Sequence, residues 1–199
     1  MQPPLVLAFV PGVTPGKWAS VWKQRMPATA LDLRQQSTEE AIQSLRDGRA
    51  DVALVRMPMD GAGLNVIPLY EELAVVLAAK DHAVATFESL TTGELAGETV
   101  LDGHGFETVE LVAANIGIAI MPQSVARLYA RRDVVARPLT DQPSTRIALA
   151  WREADTNPLI EEFVGIVRGR TANSSRGSAV AEAAPKSSAK NTRGRESRR

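Results

Sequence analysis

The sequence predicts an α/β protein in which one chain forms two sheet-based lobes. Short, continuous apolar runs such as Leu5–Val10 and Val52–Val55 are typical of strands that are buried on both faces of a parallel sheet. Amphipathic helical segments separate these runs, and the resulting β-α-β order favours parallel neighbours. A second βαβα series follows, and then a final strand–helix pair. We expect this last pair to return to the first lobe, so that the chain crosses twice between the lobes.

The two helices of the first lobe carry start and stop signals. Thr14 followed by Pro15 is predicted to cap the first helix, because proline is favoured at the first helical position. Ser37 and Glu40 have the spacing of a capping box for the second helix, which is predicted to end at Gly48. The two helices therefore link three predicted strands into a βαβαβ run.

The second lobe is predicted to span about residues 80–139 and to follow the apolar strand Ala74–Ala79. Its predicted elements are a short strand in ETVLD, a helix in FETVELVAAN, a strand in IGIAIMP, a helix in QSVARLYARR and a strand in VVARPL. The chain would then leave this lobe for the final strand–helix pair.

That final pair consists of a strand in TRIALAWR and a helix in NPLIEEFVGIVRG. Asn157 is predicted to cap the helix, and Pro158 lies in its first turn. The folded domain is expected to cover residues 1–169, with a first lobe of about 4–73 and 144–169.

The residues after position 169 differ in composition from the rest of the chain. The range 170–199 contains one valine and no Leu, Ile or Phe, and it has eight basic and two acidic residues, a net charge of +6. The remainder carries fifteen basic and twenty-one acidic residues, a net charge of −6. The burial of so few apolar side chains cannot offset the conformational entropy lost on ordering. This basic tail is therefore predicted to be disordered.

Several classes of function and location are disfavoured by the sequence. There are no cysteines and only two histidines, so no metal-ligand spacing is present, and no serine elbow or catalytic triad is visible. We therefore expect no cofactor, no metal and no enzymatic activity. The N-terminus lacks a basic region before its short apolar run, and no segment approaches the roughly 20 apolar residues of a membrane span. A cytoplasmic protein without membrane contact is expected.

Three successive segments resemble a known family. STEEAIQSLRDGRADVALV, LYEELAVVLAAKDHAVA and ETVELVAANIGIAIMPQSVARL look like consecutive signatures of the effector-binding (substrate-binding) domain of LysR-type transcriptional regulators. The resemblance covers about residues 5–169. It implies a fold like that of the type II periplasmic binding proteins, with two Rossmann-like lobes joined by two crossover strands. It also places Asn115 at a left-handed helix end, where relatives usually have glycine.

The sequence departs from this family in two ways. Family members begin with a winged helix-turn-helix and a linker helix, whereas this chain starts directly on the first sheet strand, so it is expected to be a fragment or a stand-alone protein. Relatives also carry an extra helix and strand between the ETVLD strand and the next helix, where only Gly103–Gly105 stand here. The second lobe is therefore expected to be shortened and to lose one strand and one wall of the usual cleft.

The resemblance implies a ligand site at helix starts that face the space between the lobes. The matching residues are Val13, Thr14, Ser37, Thr38, Phe106 and Thr108. Unpaired N–H groups and the helix dipole favour an anion at such a place, typically a small carboxylate. An alternative is that Thr14 and Ser37 only cap their helices. Glu107, in the first turn of the second-lobe helix, would repel a carboxylate.

Two hypotheses of function follow. The first is a non-catalytic sensor of a small effector, acting as a homodimer or as a heterodimer with a full-length regulator. The alternative is a scaffold with a vestigial pocket, whose basic tail makes nonspecific contact with nucleic acid or binds an acidic partner.

Overall fold

A computed structural model describes residues 3–169. The strands are Leu5–Phe9 (β1), Leu31–Gln35 (β2), Val52–Arg56 (β3), Leu64–Glu72 (β4), Ala74–Ala79 (β5), Ala119–Pro122 (β6), Val134–Pro138 (β7) and Thr145–Arg152 (β8). The α-helices are Gly16–Arg25 (α1), Thr38–Arg46 (α2), Phe106–Ala113 (α3), Gln123–Leu128 (α4) and Pro158–Val167 (α5), and 3₁₀ helices cover Ala83–Thr86 and Thr92–Leu95. The predicted disordered tail, 170–199, lies outside the described residues.

The first sheet has the strand order β2-β1-β3-β8-β4. Its strands β1, β2 and β3 are parallel, whereas β8 runs antiparallel to both β3 and β4. The segment Val52–Val55 is fully buried, as expected for an interior strand. Helices α1 and α5 pack together through Trp22 and Phe163, whose ring centroids are 5.9 Å apart. The last strand therefore lies in the first sheet, and the α/β fold class is confirmed.

The second sheet is small and has the order β6-β5-β7. Central strand β5 is antiparallel to both neighbours. Only Leu73 separates β5 from β4, so the chain passes directly from one sheet into the other. Successive residues of β5 point to opposite faces. Val75 and Leu77 accordingly pack in one apolar cluster with α3 and α4, and Val76 and Ala78 pack in another with the 3₁₀ segments.

Three local predictions about helix ends are confirmed. Ser37 and Glu40 form the capping box of α2, with the Ser37 Oγ accepting from the Glu40 N–H at 3.2 Å and Glu40 Oε2 accepting from the Ser37 N–H at 2.9 Å. Asn157 Oδ1 accepts from the Leu159 N–H at 3.0 Å and so caps α5. Asn115 has a left-handed φ of 58° after α3.

Two local predictions are wrong. Thr14 does not cap α1, because Pro15 itself takes the N-cap position and its carbonyl accepts the first helical bond from Ala19. The strand expected in ETVLD is reduced to a single parallel bridge between Val100 and Ile118. The chain turns away at Gly103, where φ is +95°, so the pairing does not continue.

None of the helices between residues 3 and 169 has the length and apolar character of a membrane span.

Candidate functional site

The two lobes meet where the β1–α1 loop faces the start of α4. Gly12 in that loop has φ +88°, and a Cβ built on it would lie 2.5 Å from Ser124 Oγ and 2.9 Å from both the Ser124 carbonyl carbon and the Val125 nitrogen. Real side chains do not approach backbone this closely, so glycine is required here for both its conformation and its size. The Gln123 N–H also donates to the Leu73 carbonyl at 2.9 Å, which fixes the start of α4 at the crossover.

A buried ion pair lies beside this contact. Arg56, the last residue of β3, holds Glu72 at the end of β4, with its Nε and Nη2 both 2.9 Å from Glu72 Oε2. The Arg56 and Glu72 side chains are only 17% and 4% exposed. Arg56 Nη2 also donates to the Pro11 carbonyl at 3.2 Å and to Ser124 Oγ at 3.3 Å. One guanidinium therefore links the first sheet, the crossover strand and the second lobe.

The interlobe contact separates two pockets that share no lining residue. The larger has a volume of about 950 Å³ and is lined by Phe9, 12–16, Leu33, Gln35, 70–73, Gln123, Ser124, Arg127 and Leu128. The smaller has a volume of about 360 Å³ and is lined by Val10, Pro11, 37–39, 56–58, His104 and Val125. Gly12 and Ser124 belong to the larger pocket, whereas the neighbouring Pro11 and Val125 belong to the smaller one.

The six residues that the sequence singled out do not come together in one place. Val13 and Thr14 line the larger pocket, while Ser37 and Thr38 line the smaller one. The α3 residues Phe106 and Thr108 line neither of these two pockets.

The two α3 side chains have structural contacts of their own. Phe106 is 60% exposed, and its ring centroid lies 6.5 Å from that of Tyr129. Thr108 is buried, and its hydroxyl donates to the Asp102 carbonyl at 3.1 Å. This bond closes the short loop between Val100 and the start of α3.

Sequence reasoning did not mark Arg56, Glu72, His104 or Ser124 as site residues. The available signal was weak: Arg56 ends a strand whose other four residues are fully buried, a position where a charged side chain needs a partner. That partner, Glu72, lies sixteen positions away in the chain. The other two residues belong to the second lobe, and their approach to the first depends on the crossover.

Tyr70, on the strand that leads to the crossover, lines the larger pocket. Burial raises the pKa of its phenol above the usual range, and the nearby Glu72 carboxylate adds to this effect while Arg56 opposes it. The phenol therefore stays protonated at neutral pH and can donate a hydrogen bond. Within residues 3–169, no group of three or more His, Cys, Asp or Glu side chains is placed to hold a metal ion.

Comparison with known proteins finds a match to one protein family. The family described as LysR substrate binding domain matches residues 4–108 and 103–172. The two matched segments overlap at 103–108, which includes the loop Gly103–Gly105, where the second lobe is predicted to be shortened.

The curated relatives are transcriptional regulators. The Hca operon transcriptional activator HcaR of Escherichia coli K12 is 24% identical over 203 residues, covering 85% of this chain and 68% of the relative. A probable hydrogen peroxide-inducible genes activator of Mycobacterium avium is 25% identical, covering 82% and 62%. The regulator CatR of Pseudomonas putida is 24% identical, covering 69% and 57%. The chain thus spans between 57% and 68% of the length of these relatives.

Solved structures share the fold. The effector binding domain of BenM with its effector benzoate has a TM-score of 0.74 at 18% identity, covering 85% of this chain and 92% of that one. A Corynebacterium glutamicum OxyR C206 mutant has a TM-score of 0.71 at 22% identity, covering 84% and 64%. The reduced regulatory domain of OxyR from Pseudomonas aeruginosa has a TM-score of 0.67 at 21% identity, covering 83% and 95%. The two-lobed fold of the type II periplasmic binding proteins is thereby confirmed.

Proposed function

Because the chain belongs to the LysR substrate binding domain family, we propose that it is a non-catalytic, ligand-sensing regulatory module that binds a small, carboxylate-bearing effector between its lobes. Its curated relatives are named as transcriptional regulators, which supports a role in regulation rather than catalysis. In this proposal the effector occupies the smaller pocket, and the large pocket is not needed for sensing.

The observation that carries the proposal is the placement of a cation and a helix start in one pocket. The guanidinium of Arg56 lines the smaller pocket together with Ser37 and Thr38 at the N-terminus of α2. Unpaired backbone N–H groups and the dipole of α2 favour a carboxylate at this end, and the Arg56 guanidinium, which is paired with Glu72, can share its remaining donors with a second carboxylate. His104 lines the same pocket from the second lobe.

The acidic residues of the first α2 turn do not cancel this preference. Glu40 is engaged in the capping box, where it accepts from the Ser37 N–H. Glu39 lines the pocket but is exposed, so its carboxylate can remain hydrated while an effector binds. The field at the α2 start is therefore set mainly by the helix end.

Substituting Thr38 tests which pocket holds the effector. Thermal unfolding in the presence of benzoate and other small carboxylates first identifies a stabilising acid, because a ligand that binds only the folded state raises Tm. With that acid, Thr38→Val is expected to weaken binding about tenfold to hundredfold, the effect of losing one hydrogen bond to a charged group. The matched variant Thr14→Val, in the larger pocket, is expected to bind as the wild type does.

Two results would count against this proposal. If no small carboxylate stabilises the protein, the sensing role is unsupported. If Thr14→Val weakens binding and Thr38→Val does not, the effector site is in the other pocket. Titration calorimetry with each variant gives the affinities directly.

Sensing would work through the angle between the lobes. An effector that contacts both lobes favours the arrangement in which they are closest, and a partner chain reads the resulting shift. We place the protein in the cytoplasm and expect the partner to be a second copy or a full-length LysR-type regulator. A mixed dimer would bring the module to DNA through the regulator.

A second candidate function rests on the charge division between body and tail, −6 against +6. In that case the protein is a scaffold, and residues 170–199 contact phosphate backbones without sequence preference. Deletion of 170–199 is then expected to abolish binding to duplex DNA, measured by fluorescence anisotropy at low salt, and wild-type binding should weaken steeply as salt is raised. Equal binding by the truncated protein would reject this function.

A further inference from the structure

We propose that the basic tail, residues 170–199, docks within the same molecule on an open edge of the second lobe, which residues 98–102 form. This contact goes beyond the proposed effector site and does not depend on it, because residues 98–102 line neither of the two interlobe pockets. Two features support it: an unpaired backbone edge bordered by exposed apolar side chains, and a division of charge between this region and the tail.

The backbone around Val100 forms the outer edge of the second lobe, next to the residue that precedes β6. The Ile118 N–H donates to the Thr99 carbonyl and the Leu101 N–H donates to the Ile118 carbonyl, both at 2.8 Å. The N–H and carbonyl of Val100 itself make no hydrogen bond to any group within residues 3–169. In parallel pairing such groups point away from the paired segment, and an edge of this kind can accept a further stretch of chain.

Exposed apolar side chains border this edge. Val100, Leu111 and Ile116 are 51%, 46% and 58% exposed. A Cβ built on Gly117 would lie 2.4 Å from the Thr99 carbonyl oxygen, so the chain at 116–118 lies directly against the edge. The Ile116 N–H donates to the Leu111 carbonyl at 3.1 Å, which keeps the end of α3 at the same place. The open backbone groups and the apolar surface can therefore be covered by one occupant.

The charge of the chain indicates which occupant this is. Residues 81–126 contain seven acidic residues and no lysine or arginine, whereas the rest of the range 1–169 holds fifteen basic and fourteen acidic residues. The acidic excess of the body therefore comes from this stretch. Glu98 and Asp102 stand at the two ends of the edge, and Glu107 lies in the first turn of α3. These charges attract the tail, with its net charge of +6, and they oppose pairing with the same edge of a second copy.

The tail has the length and the composition for this contact. Thirty extended residues span up to about 100 Å. A folded domain of this size has a radius of gyration of about 15 Å, so the tail can reach the second lobe from the end of α5. Its apolar run AVAEAA, residues 179–184, lies between Arg176 and Lys186. This order offers small apolar side chains to Val100 and basic groups to the acids on either side.

The test uses the full chain, whose lack of cysteines allows one nitroxide spin label to be attached at Ser187→Cys. In dilute buffer, paramagnetic broadening is expected to remove the amide signals of residues 99–101 and 116–118 from the nitrogen–proton correlation spectrum. The signals of the first lobe should remain. In about 1 M salt, where the screening length is only about 3 Å, the lost signals are expected to return.

Two pairs of substitutions in the labelled chain test the role of the acids. Asp102→Asn with Glu107→Gln is expected to abolish the broadening. The matched control is Glu153→Gln with Glu161→Gln, which neutralises two exposed acids of the first lobe, one of them also in the first turn of a helix. This control should leave the broadening unchanged.

Three outcomes would overturn the proposal. Absent broadening, or equal broadening of both lobes, would mean that the tail has no preferred place on the body. Equal losses in the two pairs of substitutions would mean nonspecific attraction to negative charge. Broadening that appears when spin-labelled chains are mixed with isotope-labelled chains that carry no spin label would mean that the tail docks on another molecule. The spectra are recorded without an effector, so failure of the effector proposal leaves this result intact.

Discussion

Replacing Arg56 with methionine is expected to lower the free energy of unfolding by about 3–5 kcal/mol, the usual cost of removing one partner of a buried ion pair. Glu72 would be left without this partner at a place where its side chain is only 4% exposed and where Oε1 already lacks a hydrogen-bond partner among residues 3–169. The contacts of the guanidinium with Pro11 and Ser124 would be lost at the same time. Urea unfolding followed by circular dichroism measures the change.

Two further variants separate this explanation from a general effect of losing an arginine. Arg146→Met removes the ion pair with Glu71, the residue before Glu72 in β4. Both side chains of this pair are exposed, at 52% and 54%, so the variant should lower the free energy of unfolding by less than about 1 kcal/mol. The double variant Arg56→Met, Glu72→Leu removes both buried charges and should recover most of the lost stability. If the double variant is as unstable as Arg56→Met alone, the ion pair is not the cause.

Introducing a side chain at Gly12 is expected to force the two lobes apart. In Gly12→Ala the new Cβ would meet Ser124 and the Val125 nitrogen at 2.5–2.9 Å, and the residue would remain in the left-handed region at φ +88°. The combined cost of the conformation and of overpacking is about 2–5 kcal/mol. Urea unfolding measures the stability, and small-angle X-ray scattering measures the expected increase in the radius of gyration.

The conformational part of this cost can be measured separately at another glycine. Gly63 has a similar φ of +71°, but a Cβ added there meets no atom within 4 Å. Gly63→Ala should therefore show only the backbone cost, about 1–2 kcal/mol, with no change in the radius of gyration. Equal effects of the two substitutions would show that the approach of Gly12 to Ser124 does not hold the lobes together.

The expected effects of Arg56→Met and Gly12→Ala both concern the contact between the two lobes. The lobes are held in contact by a backbone approach at Gly12 and by the shared hydrogen bonds of Arg56, and both lie next to the pocket proposed for the effector. An effector carboxylate that binds Arg56 would therefore act on the same group that ties the crossover strand to the second lobe. This gives the proposed sensing a physical route from ligand to lobe angle.

Much of the local structure could be read from the sequence. The capping box of Ser37 and Glu40 and the cap at Asn157 depend on residues within about one helical turn, so spacing alone identifies them, whereas the left-handed Asn115 followed from the family resemblance. The apolar runs located the buried strands for the same reason. Thr14 was assigned wrongly because Pro15 can serve as N-cap as well as first helical residue, a choice that the sequence leaves open.

The sequence by itself determined the order of the main strands and helices and the family, since both can be recognised in short segments. Only the tertiary structure decided that Arg56 pairs with Glu72, that Gly12 meets Ser124, and that the predicted ligand residues divide between two pockets. These contacts join positions up to 112 residues apart, because the chain passes into the second lobe and returns before the first sheet is complete. No local sequence pattern predicts such a long-range contact, because its geometry depends on how both lobes pack around the crossover.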